Sequence, residues 1–336
     1  MNLVADALKI EFGPSASWTH LAKYAALLRK AREFFERHDF LEVVTPILSR
    51  DTVVDRHLDP LRVVMYADPR QVSEGAEWYL QTSPEFHMKR LLAAGAPAIY
   101  QFAHAFRAGE RGQHHNPEFL MLEWYVPGQS QLAAMQMLSD LANHLLEQGE
   151  AERITYRDAF LSLAMVDPFD DPVAKIAAAI TSNPSQSPFP LDEAFRDDWL
   201  DWLLVERVEP QLGRQRPTIL YDYPSSQAAL ARLRPGAAGS PAVAERFELY
   251  WQGVELANGY CELCDSEQLC QRFEENNRLR QQDGKQPLPI ESGLLHAMRQ
   301  GLPECSGVAL GFDRVVMLAV GAPSLDDVMA FPYDRA

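Results

Sequence analysis

Between Leu21 and Phe40, apolar residues recur at Leu21, Tyr24, Leu28, Phe34 and Phe35 with charged residues between them. That spacing sets them on one stripe and predicts an amphipathic helix ending near His38-Asp39. Leu41, Val43 and Val44 then run into Thr45-Pro46, a short β-rich stretch closed by a proline that cannot donate to a sheet ladder. Trp78 to Gln81 reads as a strand. Thr82-Ser83-Pro84-Glu85 reads as the start of a helix over Phe86 to Ala94, with proline near the first helical position and an acid in the first turn. Ala98 to Arg107 and Glu118 to Val126 are both strand-like, and the polar segment between them, Ala108 to Pro117, carries Gly109 and Gly112 where it must bend. The expected arrangement is an antiparallel pair joined by a long basic loop.

Ser130 to Gln148 is helical in pattern, and so is Asp192 to Val208, where Phe195, Trp199, Trp202 and Leu203 form a stripe suited to core packing. Thr181 to Pro190 and Arg234 to Pro241 read as connections. Phe247 to Leu263 is a long β-rich segment, expected to break at Gly253 and again at Asn258-Gly259, and a charged helix should follow from Ser266 to about Gln282. Gly307 to Gly311 reads as a buried strand of small residues running into a helix over Phe312 to Val320. Strands separated mostly by turns and loops, with helices outside them, imply an α+β fold with an antiparallel sheet flanked by helices. No internal repeat and no glycine-rich phosphate loop is found in the sequence.

Composition narrows this picture. The chain has 336 residues, 47% apolar and 23% charged, which fits a folded globular protein of one or two domains. No stretch approaches the roughly 20 uninterrupted apolar residues of a membrane helix, and Met1 to Pro14 carries Asp6 and Glu11 without a cleavable apolar segment. A cytoplasmic protein is expected. A formal charge of −16 argues against nonspecific binding to a phosphate backbone. Lys89, Arg90, Arg107 and Arg111 lie close in sequence and make either a local basic pocket or scattered solvated charges. Cys261 and Cys264 form a C-x-x-C, but only Cys270 and the distant Cys305 remain and no histidine sits among them at a ligand spacing, so reduced structural thiols are expected.

Three groups carry candidate chemistry. Phe106-Arg107, followed by His115-Asn116-Pro117-Glu118-Phe119, puts a cation and an aromatic ring on adjacent antiparallel strands. Such a cation can grip an α-phosphate and such a ring can cover adenine, although an ordinary surface loop holds the same residue types. Glu255-Leu-Ala-Asn-Gly-Tyr-Cys-Glu262 offers two carboxylates for Mg²⁺ or for a substrate amine. In a regular strand their offset of seven sends them to opposite faces, so shared use requires a bulge or turn, for which Asn258-Gly259 is the candidate. Gly307 to Arg314 allows a ligand close to the backbone and sets an arginine near a helix start. A glycine-flanked strand packed on a helix would look the same.

In this order the three groups resemble motifs 2 and 3 and the intervening acidic strand of class II aminoacyl-tRNA synthetases, and Leu21 to Pro46 resembles motif 1. His115-Asn-Pro-Glu-Phe119, Glu255-Leu-Ala-Asn-Gly259 and Gly311-Phe-Asp-Arg314 look like the lysyl branch, and the resemblance runs from about Leu21 to the last residues. Thr82 to Arg90, Met121-Leu-Glu-Trp-Tyr125 and Ser306 to Gly311 closely resemble the elongation factor P lysine ligase family. Lysyl-tRNA synthetases carry an N-terminal OB-fold domain that grips the anticodon, whereas this chain reaches motif 1 within its first few dozen residues. The expectation is one class II synthetase-like catalytic domain over residues 1–336 with no anticodon-binding OB domain.

The resemblance implies an ATP-dependent enzyme using Mg²⁺ that makes an aminoacyl-adenylate and passes the aminoacyl group, preferentially (R)-β-lysine, to a lysine of elongation factor P rather than to tRNA. It also implies a homodimer through the motif 1 region. The readings held beside it are a compact lysyl-type synthetase acting on tRNA or another acceptor, and an inactive amino-acid sensor. By position, Arg107 and Arg314 would be catalytic, and Arg107, Gly109, Glu110, Asn116, Phe119, Glu255, Leu256, Gly311 and Arg314 would bind ATP. Ser83, Pro84, Glu85, Tyr125, Glu262 and Ala309 would bind the amino acid, with Glu255 and Glu262 as metal ligands. Ordinary lysyl enzymes tend to have glycine where Ala309 stands, so the added methyl is expected to favour the β-isomer. Related ligases read Arg-Asn-Glu at the head of motif 2, whereas this chain reads Arg107-Ala108-Gly109-Glu110. Either Glu110 meets the adenine amine by a changed loop path or backbone does.

Overall fold

The computed structural model describes residues 12–68, 70, 72, 74–182, 187–236 and 241–336. Met1 to Glu11 and part of each connection read at Thr181 to Pro190 and Arg234 to Pro241 lie outside the described residues. Helix α1 (Trp18–Arg37) begins where the Ser17 hydroxyl accepts from the His20 N–H at 3.1 Å, satisfying one donor that a first turn leaves open. It ends at His38, and Asp39 takes a φ of 57° to turn the chain. Phe34 and Phe35 are buried with Leu27 and Ala31. The Phe35 ring stacks on Tyr100 at 4.4 Å, joining the helix to the sheet through a contact of the kind that adds about 1 kcal/mol beyond buried area.

After α1 come β1 (Leu41–Glu42), a small sheet of β2 (Leu48–Ser49), β3 (Leu61–Tyr66) and β4 (Gly75–Leu80), then α2 (Glu85–Ala93). The expected antiparallel pair is β5 (Ile99–Phe106) and β6 (Glu118–Pro127), in register from Ile99 opposite Tyr125 to Phe106 opposite Glu118. Helix α3 (Gln131–Leu146) and strand β7 (Glu152–Thr155) lead to α4 (Tyr156–Ala164), α5 (Val173–Ile180) and α6 (Arg196–Leu203). The chain continues through β8 (Thr218–Pro224), β9 (Leu233–Arg234), β10 (Val243–Trp251) and β11 (Val254–Cys261). It finishes with α7 (Ser266–Gln282), α8 (Gly293–Gly301), β12 (Cys305–Gly311) and α9 (Phe312–Val320).

The main sheet runs β1-β5-β6-β12-β11-β10-β8-β7, with β9 beside β10. Its interior is antiparallel, and parallel pairing occurs only at the two ends, β1 with β5 and β7 with β8, among the described residues. Side chains alternate across it as strand geometry requires. One face carries Leu122 and Trp124 of β6, Phe247 and Leu249 of β10, Leu256 of β11, and Val308 and Leu310 of β12, all packed under α1, α3 and α9. The opposite face is apolar only at its ends. Tyr223, Ala244 and Tyr250 pack with Trp199 and Leu203 of α6, and Tyr125 packs with Phe86, Phe273 and Leu295 of α2, α7 and α8. Between those two clusters the face is polar and open.

Two expectations are corrected here. The β-rich segment Phe247 to Leu263 does break at Gly253, where Gln252 and Gly253 have φ of 54° and 78° and close the β10–β11 hairpin. It does not break at Asn258-Gly259, which continue the strand opposite Glu248 and Phe247. Gly259 is needed for packing, since a Cβ there would lie 2.5 Å from two Phe247 ring carbons. The helical run at Asp192 to Val208 opens with a 3-10 turn, continues as α6 and widens into a π turn over Leu204–Val208. Of its predicted stripe, Trp199 and Leu203 are fully in the core and Phe195 and Trp202 pack at its edge.

Gly259→Ala should therefore lower stability by about 1–3 kcal/mol through overpacking against Phe247. Urea unfolding measures it, and an unchanged midpoint would mean that the core yields easily at this point.

Candidate active site

The polar stretch of the sheet face is built on β6, β12 and β11. In β12, Gly307, Ala309 and Gly311 alternate with the core residues Val308 and Leu310, so the floor of the cleft is made of the smallest side chains. Ala309 sits in register between Glu123 and Asn258, and Gly307 between Tyr125 and Tyr260. A Cβ on Gly307 would fall 2.3 Å from Glu262 Oε1 and 2.3 Å from Tyr125 Cε1. Glycine at that position is what lets those two groups close over the floor.

At the α2 end of the cleft stands a pocket of acids. Glu85 opens α2, Glu123 rises from β6 and Glu262 follows β11, all three buried. Ser83 Oγ donates to Glu123 at 3.0 Å and accepts the Glu85 N–H at 3.0 Å, and Tyr125 OH donates to Glu123 at 2.6 Å. Lys89, one turn along α2, places Nζ 2.5 Å from Glu85 and 2.5 Å from Glu262. Burial, and then the Glu85 charge, push the Glu123 carboxyl up to about 8 against those two hydrogen bonds. Burial likewise raises Glu262, with Lys89 pulling it back. Burial opposes the Lys89 charge, yet Glu262 and Glu85 together hold that ammonium well above its ordinary range.

Further along the face stand the cations. Arg107, just past β5, lies 5.1 Å over the Phe119 ring and 3.7 Å from Glu110, with its Nε directed at the Thr82 carbonyl at 3.4 Å. Gly109 has a φ of 80°, the conformation that turns the loop. Arg314, in the first turn of α9, donates to the Glu255 and His114 carbonyls at 2.8 and 3.0 Å. Burial and the adjacent Arg314 hold the His115 imidazole below its usual range, so a neutral ring nitrogen accepts from Arg314 at 2.8 Å. Asn116 is buried and donates to the Glu118 carbonyl at 2.6 Å while accepting the Tyr333 N–H at 3.0 Å. It shapes the loop.

Glu255 shares this end. Strand β11 carries one extra residue opposite the Leu249–Tyr250 step, so Leu256 and Ala257 both turn to the core and Glu255 joins Asn258 and Tyr260 on the cleft face. Burial, then Glu248 across the hairpin, raise the Glu255 pKa, while Arg314 and Arg107 lower it. Glu209 faces the same two acids and is pushed up to about 7 by burial and by them.

A family model described as tRNA synthetases class II (D, K and N) matches residues 14–335. The chain belongs to this family. Among curated relatives, the elongation factor P-(R)-beta-lysine ligase of Salmonella gallinarum is 45% identical over 96% of this chain and 98% of its own. The protein of the same name from Yersinia enterocolitica is 44% identical over the same shares.

Within this class II synthetase fold, Ser83, Pro84, Glu85, Tyr125, Glu262 and Ala309 gather around the acid pocket, and Arg107, Glu110, Phe119, Glu255, Gly311 and Arg314 lie along the rest of the face. Leu256 turns its side chain into the core, which leaves only its backbone for a ligand. The basic residues are dispersed: Lys89 is among acids, Arg90 is exposed, and Arg111 pairs with Asp326 and Asp334. Successive helical positions differ by about 100°, so Lys89 and Arg90 had to diverge.

The expected sharing of one metal ion by Glu255 and Glu262 is also corrected. The bulge puts both on one face, but a strand's length of roughly 20 Å separates them and Glu262 is already paired with Lys89. Sequence reading did not single out Glu123, Glu248 or the role of Lys89. The helical i, i+4 spacing of Glu85 and Lys89 was the available signal for one, and the seven-residue step from Glu248 to Glu255 across a hairpin for another.

In glutamate-labelled protein, carboxyl-carbon NMR should show Glu123 neutral below and ionised above a midpoint near pH 8, and Glu123→Gln should remove that transition. A Glu123 that titrates in the ordinary carboxylate range would contradict the dry, like-charged pocket described here.

Proposed function

We propose that this protein is an ATP-dependent ligase that adenylates (R)-β-lysine and transfers it to a lysine side chain of elongation factor P. The observation that carries the reading is the acid cluster: Glu85, Glu123 and Glu262 are three buried carboxylates brought together on a synthetase-family sheet with Lys89 as the one cation bonded to them, and a diamino acid brings two ammonium groups that need anionic partners once desolvated. The names and near full-length identity of the relatives point the same way.

In the first step the carboxylate of β-lysine attacks the ATP α-phosphorus and pyrophosphate leaves. In the second, the acceptor amine attacks the mixed anhydride and AMP leaves. No protein nucleophile is required. Arg107 offsets charge developing at the α-phosphate, Phe119 gives adenine a face, and Arg314 meets the far phosphates, so catalysis is positioning plus electrostatics. Gly109, Glu110, Asn116 and Gly311 form the surround of the nucleotide.

The residues present fit Mg²⁺ at Glu255, a partly exposed cleft-facing carboxylate beside Glu248, while Glu248 itself is engaged by Arg246 and by the hydroxyls of Tyr223 and Tyr250. When bound, Mg²⁺ would neutralise phosphate charge. Among the described residues no three His, Cys, Asp or Glu side chains are placed together to hold a metal ion.

Ala309 projects its methyl between Glu123 and Asn258, where it narrows the floor in favour of the β-isomer. We also propose that residues 1–336 act as one cytoplasmic catalytic unit with no tRNA acceptor, consistent with a charge of −16. Among the described residues no helix is long and apolar enough to cross a membrane. Leu41 and Val44 within motif 1 and Ile47 just after it expose apolar surface, which supports a homodimer formed there.

Incubation of purified elongation factor P with the protein, ATP, Mg²⁺ and (R)-β-lysine should add one lysyl unit by intact mass, less with α-lysine. Arg107→Ala should abolish the addition while leaving the fold intact, and Ala309→Gly should shift preference toward α-lysine. Charged tRNA with unmodified elongation factor P would replace this reading by a compact synthetase. Sedimentation equilibrium should give a dimer, and a monomer at every concentration would refute the motif 1 interface.

A further inference from the structure

The acid pocket contains a cation of its own. Lys89 is 2% exposed, reaches Glu85 and Glu262 at 2.5 Å each, and lies 5.9 Å over the Tyr125 ring. Glu123, by contrast, is held by the hydroxyls of Ser83 and Tyr125, which carry no charge to oppose its own. The titratable groups around Lys89 are Glu85 on its own helix, Glu123 and Tyr125 on β6, Glu262 after β11, Cys264 beyond it and Cys305 on β12, with Tyr260 of β11 beside Glu85 and Glu262. Burial raises both phenols and both thiols, so they stay neutral across the working range. Once an incoming ammonium draws the proton from Glu123, the charged set is three carboxylates against one ammonium, a pocket two positive charges short of neutrality.

We propose that Lys89 is a positioning residue that fixes the charge of this pocket, holding Glu262 and Glu85 oriented as anions so that a substrate with two ammonium groups, and not one, closes the deficit. A carboxylate has about four lone-pair sites, so one bond to Lys89 leaves each acid free to accept from the ligand. Without Lys89 the pocket would hold three unscreened acids in a dry space. They would relieve their repulsion by taking up protons, and a protonated carboxyl must release its proton before it can pair with an ammonium. Lys89 acts through the acids rather than on the reacting atoms. The inference rests on the proposed reading for the identity of the ligand as a diamino acid.

The test is calorimetric titration of the full chain with α-lysine and with (R)-β-lysine, without ATP, in buffers of differing ionisation heat between about pH 6.5 and 9. Wild type, Lys89→Met, Lys89→Gln and Lys89→Arg are compared after circular dichroism has established the fold, and either uncharged variant suffices. The uncharged variants should release about one more proton per amino acid bound, bind about tenfold more weakly at pH 7, and recover as pH rises, since a tenfold change corresponds to one pKa unit. Lys89→Arg should keep the wild-type pH profile even if its affinity drops. A uniform loss of affinity with an unchanged profile and proton count would overturn the inference and leave Lys89 a packing residue. ATP–pyrophosphate exchange by the wild type is measured separately. Binding without exchange would sink the adenylation reading while the titration still decides the role of Lys89, and failure to bind any diamino acid would overturn the inference outright.

Discussion

Strands β6, β12 and β11 lie side by side in antiparallel register, and each must send alternate side chains to opposite faces. On one face the alternate positions supply Leu122, Trp124, Val308, Leu310 and Leu256 to the core. The same geometry delivers Glu123, Tyr125, Gly307, Ala309, Asn258 and Tyr260 to the cleft. Neither set can move without displacing the other, so a polar, glycine-floored site is held by the rigidity of the core beneath it. Where the chemistry needs an exception, the strand makes one: the extra residue at Leu256 brings Glu255 round to the cleft and sets two adjacent residues facing the core.

Charge then divides the face. Around α2 three buried acids are balanced in part by Lys89, while toward α9 the cations Arg107 and Arg314 stand near Glu255. An amino acid with two ammonium groups and one carboxylate has its own charges divided in the same sense, its ammoniums toward the acids and its carboxylate toward the arginines and ATP. The orientation needed for attack on phosphorus therefore follows from electrostatics before any specific contact is considered. Glu123 shows what this arrangement costs, since burial and a like charge hold its carboxyl up to about 8.

Much of this was legible in the sequence because it rests on local rules. Helices α1, α2, α7 and α9 and strands β5, β6 and β12 follow from apolar period, capping residues and proline placement, and Phe119 and Arg107 meet as adjacent antiparallel strands require. What was not legible depends on partners distant in sequence. Nothing local at Leu256 marks a bulge, whereas Asn258-Gly259 looks like a break and is a packing site for Phe247. Glu123 reads as one acid in a strand until Ser83, Glu85 and Ala309 are placed around it. Lys89 and Arg90, adjacent in sequence, point to different surroundings, and only the packing of α2 on the sheet tells which is buried.

In the proposed function, one sheet face reads a diamino acid at its acidic end and an ATP phosphate at its basic end. A crystal structure with a non-hydrolysable lysyl-adenylate analogue tests it most directly. The account predicts both ammonium groups among Glu85, Glu123 and Glu262, the phosphate mimic against Arg107, and adenine on Phe119. An analogue bound with its ammoniums away from those acids, or in the reverse orientation along the cleft, would contradict it.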